Sequence, residues 1–272
     1  MHVKSRIQKV GIAGLGAIGK SLAQILDRGI PGLELMAVAV RDPSRSAEWL
    51  SMLKKPPAVL NFQELAGACD IVVECAPAVL LPQLAVPVLK AGRKLIVLSS
   101  GALLSNPDLL TLARENHAQI LVPTGALLGL DAVTAAAEGV INSVRMITRK
   151  PVKGLLGAPY LVQNNIKIDD ITESTRIFSG TAREAAVGFP ANLNVAVALS
   201  LAGIGPDKTM LEIWADPSLT RNTHTILVDA DSASFTMTIE NIPSENPKTG
   251  RITALSVVAL LRKFEAPLRV GS

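Results

Sequence analysis

Three glycines near the start of the chain have the spacing of a phosphate-binding turn. Gly14, Gly16 and Gly19 lie between a short apolar run and a helix-forming stretch. Gly14 permits a tight turn, Gly16 lets the backbone approach a pyrophosphate, and Gly19 lets the helix pack closely on the strand. The helix, with Ala17 and Ile18 in its first turn, directs its positive end at the phosphates. The pattern predicts that these five residues contact a dinucleotide cofactor, NAD or NADP; a glycine-rich turn that binds nothing is the alternative.

The end of the second predicted strand bears on which cofactor is used. An NAD site has an acidic residue about 20 residues after the glycines, which binds the ribose 2′-hydroxyl. This chain has Arg41 first and then Asp42, with Ser44 and Arg45 nearby. A guanidinium at Arg41 can bind a 2′-phosphate, so we predict that NADP is used at least as well as NAD. The alternative is that Arg41 points to solvent and Asp42 binds the ribose.

The composition argues against several classes of function. The 272 residues are 49% hydrophobic but only 3% aromatic, which favours an aliphatic core over base-stacking surfaces. The net charge of +4 comes without a long basic run, so no nucleic-acid partner is expected. The apolar stretch 76–89 is interrupted by prolines and is too short to span a membrane. We therefore expect a cytoplasmic protein with no membrane partner.

The cysteine content predicts neither a metal site nor a disulfide framework. Cys69 and Cys75 are the only two cysteines, and their spacing matches no metal-binding motif. We interpret Cys69 as a small core residue, and Cys75 likewise unless it lines the cofactor site.

Strands and helices alternate through the first 124 residues. This order predicts an α/β fold with a Rossmann-type doubly wound parallel sheet, in a dinucleotide-binding domain that spans 1–124. The predicted strands are 10–13, 33–40, 71–76, 94–98 and 119–122, and the predicted helices are 17–26, 44–54, 80–91 and 106–116.

Beyond Pro123 the pattern changes to that of a second, α+β domain, predicted at 125–249. Its later strands lie close together along the chain, which is typical of a largely antiparallel sheet. The stretch that follows residue 149 is interpreted as irregular. A last apolar helix, within 250–272, is expected to return to the first domain. The predicted strands are 144–149, 210–215, 223–230 and 234–241, and the predicted helices are 130–139, 191–202 and 252–264.

Six short segments, taken together and in order, resemble the L-aspartate dehydrogenase family. The likeness covers nearly the whole chain and is much more specific than the glycine turn alone. The segments are Ser100-Gly101-Ala102, Pro123-Thr124-Gly125-Ala126, Thr148-Arg149-Lys150-Pro151, Phe189-Pro190-Ala191-Asn192-Leu193-Asn194-Val195-Ala196, Asp216-Pro217 with Arg221-Asn222-Thr223-His224, and Asn246-Pro247-Lys248-Thr249-Gly250.

The resemblance implies an oxidoreductase that uses NAD or NADP to deaminate L-aspartate, a small dicarboxylic amino acid, through iminoaspartate. The family usually forms a homodimer, through the domain that also holds the substrate. In it, iminoaspartate feeds NAD biosynthesis or hydrolyses to oxaloacetate and ammonia. No metal is required, because hydride leaves the substrate Cα directly for the nicotinamide.

The resemblance places the catalytic histidine at His224. Histidine titrates near neutrality, and deamination needs a base for the ammonium proton or for the attacking water. The other two histidines are less suitable, since His2 lies in the terminal arm and His117 follows a helix of the first domain. A structural polar residue on a strand is the alternative for His224.

The family pattern implies further cofactor contacts in the second half of the chain. Asn194 matches an asparagine that contacts the nicotinamide carboxamide or ribose, although a helix cap is the alternative. Ala126 and Leu128 match a loop over the nicotinamide. This loop departs from the family, with Thr124 where serine is usual and Leu128 where a small residue is usual. Ala76, after a strand of the first domain, is also expected to contact the cofactor.

The two carboxylates of aspartate require cations or hydrogen-bond donors. We expect Asn222, Lys248 and Thr249 to contact the substrate, with Arg221 as a further candidate. Each charged side chain could equally be solvated surface.

Two other functions remain open at this point. The same two-domain scaffold occurs in homoserine dehydrogenase-like and dihydrodipicolinate reductase-like enzymes, so another small amino or hydroxy acid is an alternative substrate. The chain could also be a non-catalytic regulatory protein that binds a nucleotide. A substrate panel distinguishes the first alternative, and calorimetry without turnover would identify the second.

Overall fold

The computed structural model describes residues 7–190, 193–243 and 250–271, and the chain divides into two compact units. The first unit holds the residues up to Pro123 together with Ala254–Arg269. The second unit holds Thr124–Thr253 and the residues after Arg269. Among the described residues, no helix is long and apolar enough to cross a membrane.

The first unit is built on a parallel sheet of six strands. The strand order is β3-β2-β1-β4-β5-β6, and each neighbouring pair is parallel. This arrangement confirms the predicted doubly wound sheet. The strands are β1 (Gln8–Ala13), β2 (Leu33–Ala39), β3 (Ala58–Val59), β4 (Ile71–Glu74), β5 (Lys94–Val97) and β6 (Gln119–Leu121).

Helices pack on the two faces of this sheet through two apolar cores. In one core, Leu22 and Leu26 of the helix that follows β1 pack with β1. In the other core, Leu84 and Val88 of the helix that precedes β5 pack with β5. The helices are α1 (Ala17–Arg28), α2 (Pro43–Ser51), α3 (Phe62–Ala68), α4 (Leu81–Lys90), α5 (Gly101–Leu104) and α6 (Asp108–Glu115).

Several elements of the first unit differ from the sequence prediction. The helix predicted to begin at Asn106 begins at Asp108, and the Asn106 side-chain amide donates to the Ala102 carbonyl of α5, 2.8 Å away. The short strand β3 and the helices α3 and α5 were not predicted, although Asn61 and Glu64 form a capping box that marks the start of α3.

The second unit is built on a mixed, mostly antiparallel sheet of five strands. The strand order is β11-β10-β7-β9-β8, and only β7 and β9 are parallel neighbours. This sheet confirms the predicted α+β class of the second half of the chain. The strands are β7 (Ile141–Lys150), β8 (Thr175–Thr181), β9 (Thr209–Ala215), β10 (Asn222–Ala230) and β11 (Ser234–Asn241).

One face of the five-stranded sheet forms the core of the second unit. Val144 and Met146 of β7, Ile226 of β10 and Ile213 of β9 are buried in it with residues from the helices. The stretch after residue 149 is not irregular throughout, because it contains β8, α8 and α9; Thr181 and Glu184 form a capping box that marks α9. The remaining helices are α7 (Leu130–Ala137), α8 (Pro159–Gln163), α9 (Ala182–Gly188), α10 (Asn194–Ala202) and α11 (Ile252–Glu265), the last of which packs in the first unit.

Candidate active site

The glycine turn joins β1 to α1 in the first unit. Gly14 has a φ of +99°, which favours glycine, and a Cβ atom there would lie 2.5 Å from the Cys75 carbonyl oxygen. A Cβ atom at Gly19 would lie 2.0 Å from the Gly14 carbonyl oxygen. Both glycines are therefore required by the packing of the turn itself.

Gly16 differs from the other two glycines because the fold does not require it. Its φ of −73° suits any residue, and no heavy atom lies within 4 Å of a Cβ atom built there. The first turn of α1 carries no acidic residue, and Gly16 provides no side-chain cap. Open space beside an uncapped helix N-terminus fits the pyrophosphate of a dinucleotide. Ala17 and Ile18 occupy the first two positions of this helix.

A buried carboxylate connects the carboxyl ends of two neighbouring strands in the same unit. Glu74 ends β4 and is 1% exposed, and its carboxylate accepts hydrogen bonds from the backbone amides of Leu98 and Ser99 at 3.1 and 2.8 Å. Burial raises the pKa of Glu74, while these hydrogen bonds oppose the shift. Glu74 thus holds the chain after β5 beside the segment that contains Ala76. Sequence reasoning missed this residue, although a carboxylate at the end of an apolar strand is a signal.

The residues predicted to choose between NAD and NADP lie between β2 and α2. Asp42 caps α2, since its Oδ1 accepts hydrogen bonds from the Ser44 amide at 3.1 Å and the Ser44 hydroxyl at 2.6 Å. Its other oxygen lies 3.3 Å from Arg45 Nε. Arg41 is exposed at the bend before this cap. The Asp42 carboxylate is therefore engaged with its own helix, whereas the Arg41 side chain faces solvent.

Polar residues replace apolar ones at one end of the core face in the second unit. Along β7, buried Val144 and Met146 are followed by buried Thr148 and Lys150 on the same face. On β10, His224 and Asn222 occupy the equivalent end of the core face, with His224 only 3% exposed. This polar end adjoins an otherwise apolar core.

His224 is paired directly with Thr148 across the antiparallel strands β10 and β7. Its Nδ1 lies 3.2 Å from the Thr148 hydroxyl oxygen. Burial, together with the nearby charge of Lys150, lowers the pKa of His224 to about 3. The imidazole is therefore neutral at physiological pH. When Nδ1 carries the hydrogen and donates it to Thr148, Nε2 carries the lone pair and is able to accept a proton.

The next row across the sheet is also polar. Asn222 is paired with Asn241 of β11, and extending the β10–β7 register by one residue places it opposite Lys150. The Asn241 amide nitrogen donates to the Ala126 carbonyl oxygen, 2.9 Å away. Lys150 is 3% exposed, and burial lowers its pKa to about 8.

A cavity of about 700 Å³ lies at this end of the sheet, within the second unit. Asn222 and Asn241 line it, as does Arg221, whose guanidinium is 3.6 Å from the Glu240 carboxylate. The loops that follow β7 and precede β10 supply most of the remaining wall. The other lining residues are Pro151, Val152, Lys153, Gly154, Leu156, Asp169, Ile171, Pro217, Leu219, Thr220, Pro243 and Gly250.

The other predicted site residues have different settings. Ala126 lies in a turn ahead of α7 and is connected to the polar row through Asn241, while Leu128 packs partly buried against the core of the second unit. Asn194 is exposed at the first position of α10, where Leu193 is the cap. Lys248 and Thr249 lie outside the described residues.

Sequence reasoning did not assign roles to Thr148, Lys150 or Asn241. The available signal was the alternation of the strands, in which Thr148 and Lys150 take positions that continue the apolar face of Val144 and Met146. Among the described residues, no group of three or more His, Cys, Asp and Glu side chains could hold a metal ion. Both cysteines are free thiols.

A doubly wound sheet with this glycine turn, followed by an α+β unit that buries a neutral histidine, defines a two-domain dehydrogenase that uses NAD or NADP. Comparison with known families agrees with this class. Residues 14–123 match the family described as "Homoserine dehydrogenase, NAD binding domain", and residues 131–264 match "Aspartate dehydrogenase, C-terminal".

Individual relatives identify the family. The chain is 61% identical to the L-aspartate dehydrogenase of Bradyrhizobium diazoefficiens, over 97% of this chain and 94% of that protein. It is 62% identical to L-aspartate dehydrogenase 3 of Bordetella bronchiseptica, over 97% of each chain. The crystal structure of aspartate dehydrogenase from Thermotoga maritima is similar with a TM-score of 0.77 and 25% identity, over 97% of this chain and 99% of that one. The chain belongs to the L-aspartate dehydrogenase family, which confirms the resemblance found in its sequence.

Proposed function

We propose that this protein catalyses the NAD(P)-dependent oxidative deamination of L-aspartate to iminoaspartate, with His224 as the general base. The observation that carries the proposal is a neutral imidazole, hydrogen-bonded to Thr148, at the polar end of a sheet whose last row lines a cavity. Family membership supports the choice of substrate.

The two units have different main tasks in this proposal. The first unit binds the dinucleotide through Gly14, Gly16, Ala17, Ile18 and Gly19. When bound, NAD⁺ or NADP⁺ accepts the hydride that leaves the substrate Cα. The second unit is the catalytic and substrate-binding domain.

His224 is suited to manage the proton of the substrate amine. The α-ammonium of aspartate must lose a proton before its nitrogen can form a double bond to Cα. Nε2 of the neutral imidazole accepts that proton while Thr148 holds the ring in place. Burial and the charge of Lys150 keep His224 neutral, so the Nε2 lone pair is available when the substrate binds.

Other residues are assigned positions around this chemistry. We assign Ala76, Ala126, Leu128 and Asn194 to cofactor binding. Asn222, Lys248 and Thr249 are assigned to the substrate. Support for Asn222 is its place in the cavity wall, two residues from His224 on the same face of β10.

An absorbance assay tests the proposal directly. The purified protein should reduce NAD⁺ or NADP⁺ with L-aspartate, and should oxidise the reduced cofactor with oxaloacetate and ammonia, as followed at about 340 nm, where the reduced nicotinamide absorbs. The His224→Ala change should lower kcat by about 10²–10⁴-fold. His117→Asn is the matched control, since His117 is exposed and its φ of 52° is tolerated by asparagine.

Two outcomes would contradict the proposal. Robust activity in the His224→Ala variant would remove His224 from the mechanism. If another small amino or hydroxy acid were turned over faster in a substrate panel, that acid and not aspartate would be the substrate. Leu128, which departs from the family pattern, would then be the first residue to test as the cause.

We further propose a cytoplasmic homodimer whose iminoaspartate feeds NAD biosynthesis. The reduced cysteines are compatible with a reducing compartment. The outward face of the five-stranded sheet exposes Arg145, Met210 and Thr238, so it is available to a second copy. Sedimentation equilibrium tests the dimer, and a monomer at micromolar concentration would contradict it.

A further inference from the structure

The substrate carboxylates require a cation close to His224, and the residues considered from sequence leave this role open. Arg221 lies in the cavity wall, but its side chain is 45% exposed and forms an ion pair with Glu240. Lys248 lies outside the described residues. A different cation, Lys150, lies on the same face of the sheet as His224.

The strand register places Lys150 diagonally next to the imidazole. His224 is paired with Thr148, and Lys150 follows two residues later on the same face of β7. Diagonal neighbours in an antiparallel pair have Cβ atoms about 7–8 Å apart, which long side chains can bridge. The charge of Lys150 contributes to the low pKa of His224, as expected for two groups at close range.

Lys150 also belongs to the row of residues that ends at the cavity. Asn241 and Asn222 of that row line the cavity, and the extended register places Lys150 opposite Asn222. On its other side Lys150 is paired with Ala215 of β9, an apolar neighbour. Lys150 is 3% exposed, so its ammonium is held at the buried end of the row that reaches the cavity.

We propose that Lys150 binds a carboxylate of the substrate whose amine is held at His224, and that it thereby selects for acidic substrates. This proposal rests on the proposed function. The α-ammonium and the carboxylates of aspartate are separated by only a few bonds, so a single substrate molecule can contact both side chains. In this proposal Lys150 contributes to substrate binding, whereas His224 accepts the proton of the substrate amine.

A merely structural role for Lys150 makes a different prediction. If the lysine only fills the end of the core, methionine should replace it without loss of substrate affinity, since its side chain is similar in length and apolar. Arginine would then be the more disruptive replacement. If Lys150 binds a carboxylate, arginine should preserve part of the function and methionine should not.

The experiment compares Lys150→Met, Lys150→Arg and the exposed-lysine control Lys208→Met in the full chain. In the Met variant the KM for L-aspartate should rise about thirtyfold or more, as when one member of a desolvated charge pair is lost, with a much smaller change in kcat. The Arg variant should recover part of that loss. The cofactor Kd, measured by nicotinamide fluorescence, and the thermal midpoint should be no worse than in the parent protein.

Succinate binding, measured by calorimetry on the cofactor-saturated protein, separates this proposal from the proposed function. Succinate is a dicarboxylate without an amine, so its binding does not require turnover. Weaker succinate binding in the Met variant supports the carboxylate-binding role of Lys150, even if the protein does not oxidise aspartate. In that case only the proposed function fails. Unchanged succinate affinity in the Met variant, or no succinate binding to the parent protein, overturns the role of Lys150.

Discussion

Nδ1 of His224 lies 3.2 Å from the hydroxyl oxygen of Thr148, and the two residues are direct partners across β10 and β7. The position of the imidazole is therefore set by strand register. A slip of one residue would move every β10 side chain to the opposite face, and His224 would leave the core face of the sheet.

Removal of the Thr148 hydroxyl should reduce the rate without unfolding the protein. In Thr148→Val the shape is kept but the partner of Nδ1 is lost, so the imidazole is less well oriented. We expect kcat to fall about five- to tenfold, the equivalent of one hydrogen bond of about 1 kcal/mol. Thr148→Ser is the matched control and should retain most of the activity. Equal kcat values in the Val and Ser variants would show that the hydroxyl is not needed.

His224 should make the protein less stable in acid. Its pKa is about 3 in the folded protein and 6.5 ordinarily, so between these values the unfolded chain binds more protons. Stability therefore falls as the pH drops below about 6.5, with a slope of at most about 1.4 kcal/mol per pH unit from this residue. Urea unfolding at several pH values should show a shallower dependence for His224→Asn than for the parent protein. Parallel curves would contradict this prediction.

Two glycines in the same turn should respond in opposite ways to alanine. In Gly16→Ala the new methyl group meets no atom within 4 Å, so the fold should be retained while the KM of the cofactor rises at least tenfold. In Gly19→Ala the methyl group would lie 2.0 Å from the Gly14 carbonyl oxygen, so stability should fall by about 1–3 kcal/mol. Thermal unfolding and cofactor titration measure both effects. Normal cofactor affinity in Gly16→Ala would move the phosphates away from this turn.

Arg41 should favour NADP over NAD. Its side chain is exposed, and Asp42 beside it is engaged in capping α2. We expect Arg41→Ala to lower the ratio of kcat/KM for NADP⁺ to that for NAD⁺ about tenfold, since a charged contact to the 2′-phosphate is lost. Arg28→Ala, an exposed arginine at the end of α1, is the control. An unchanged ratio in the Arg41 variant would remove Arg41 from cofactor selection.

Much of the fold was predictable because it depends on local patterns. The alternation of apolar strands and helices through residue 124 predicted the parallel sheet, and the glycine spacing predicted the turn between β1 and α1. The weakest predictions were in the stretch after residue 149. There β8 is an edge strand and α9 has only seven residues, so neither produces a long periodic signal.

The candidate site was predicted only in part. His224 and Asn222 were named from the sequence because a resemblance to known sequences marks individual positions, and their catalytic and binding roles stay predictions. Asn241 was missed because its partner, the Ala126 carbonyl, is 115 residues away in the chain. Asp42 was considered as a ribose ligand, whereas its carboxylate accepts hydrogen bonds from the first turn of α2. The sequence pattern is compatible with either use of this side chain.

The sequence by itself determined that the chain has a dinucleotide-type glycine turn, two kinds of sheet and one histidine suited to catalysis. Only the tertiary structure decided that Thr148 and Lys150 lie beside His224. Thr148 and His224 are 76 residues apart along the chain. The reason is physical. Glycine conformation and apolar periodicity act within a few residues, whereas strand register is set by the packing of a whole sheet. Burial then lowers the pKa values of His224 and Lys150, and burial exists only once the sheet has formed.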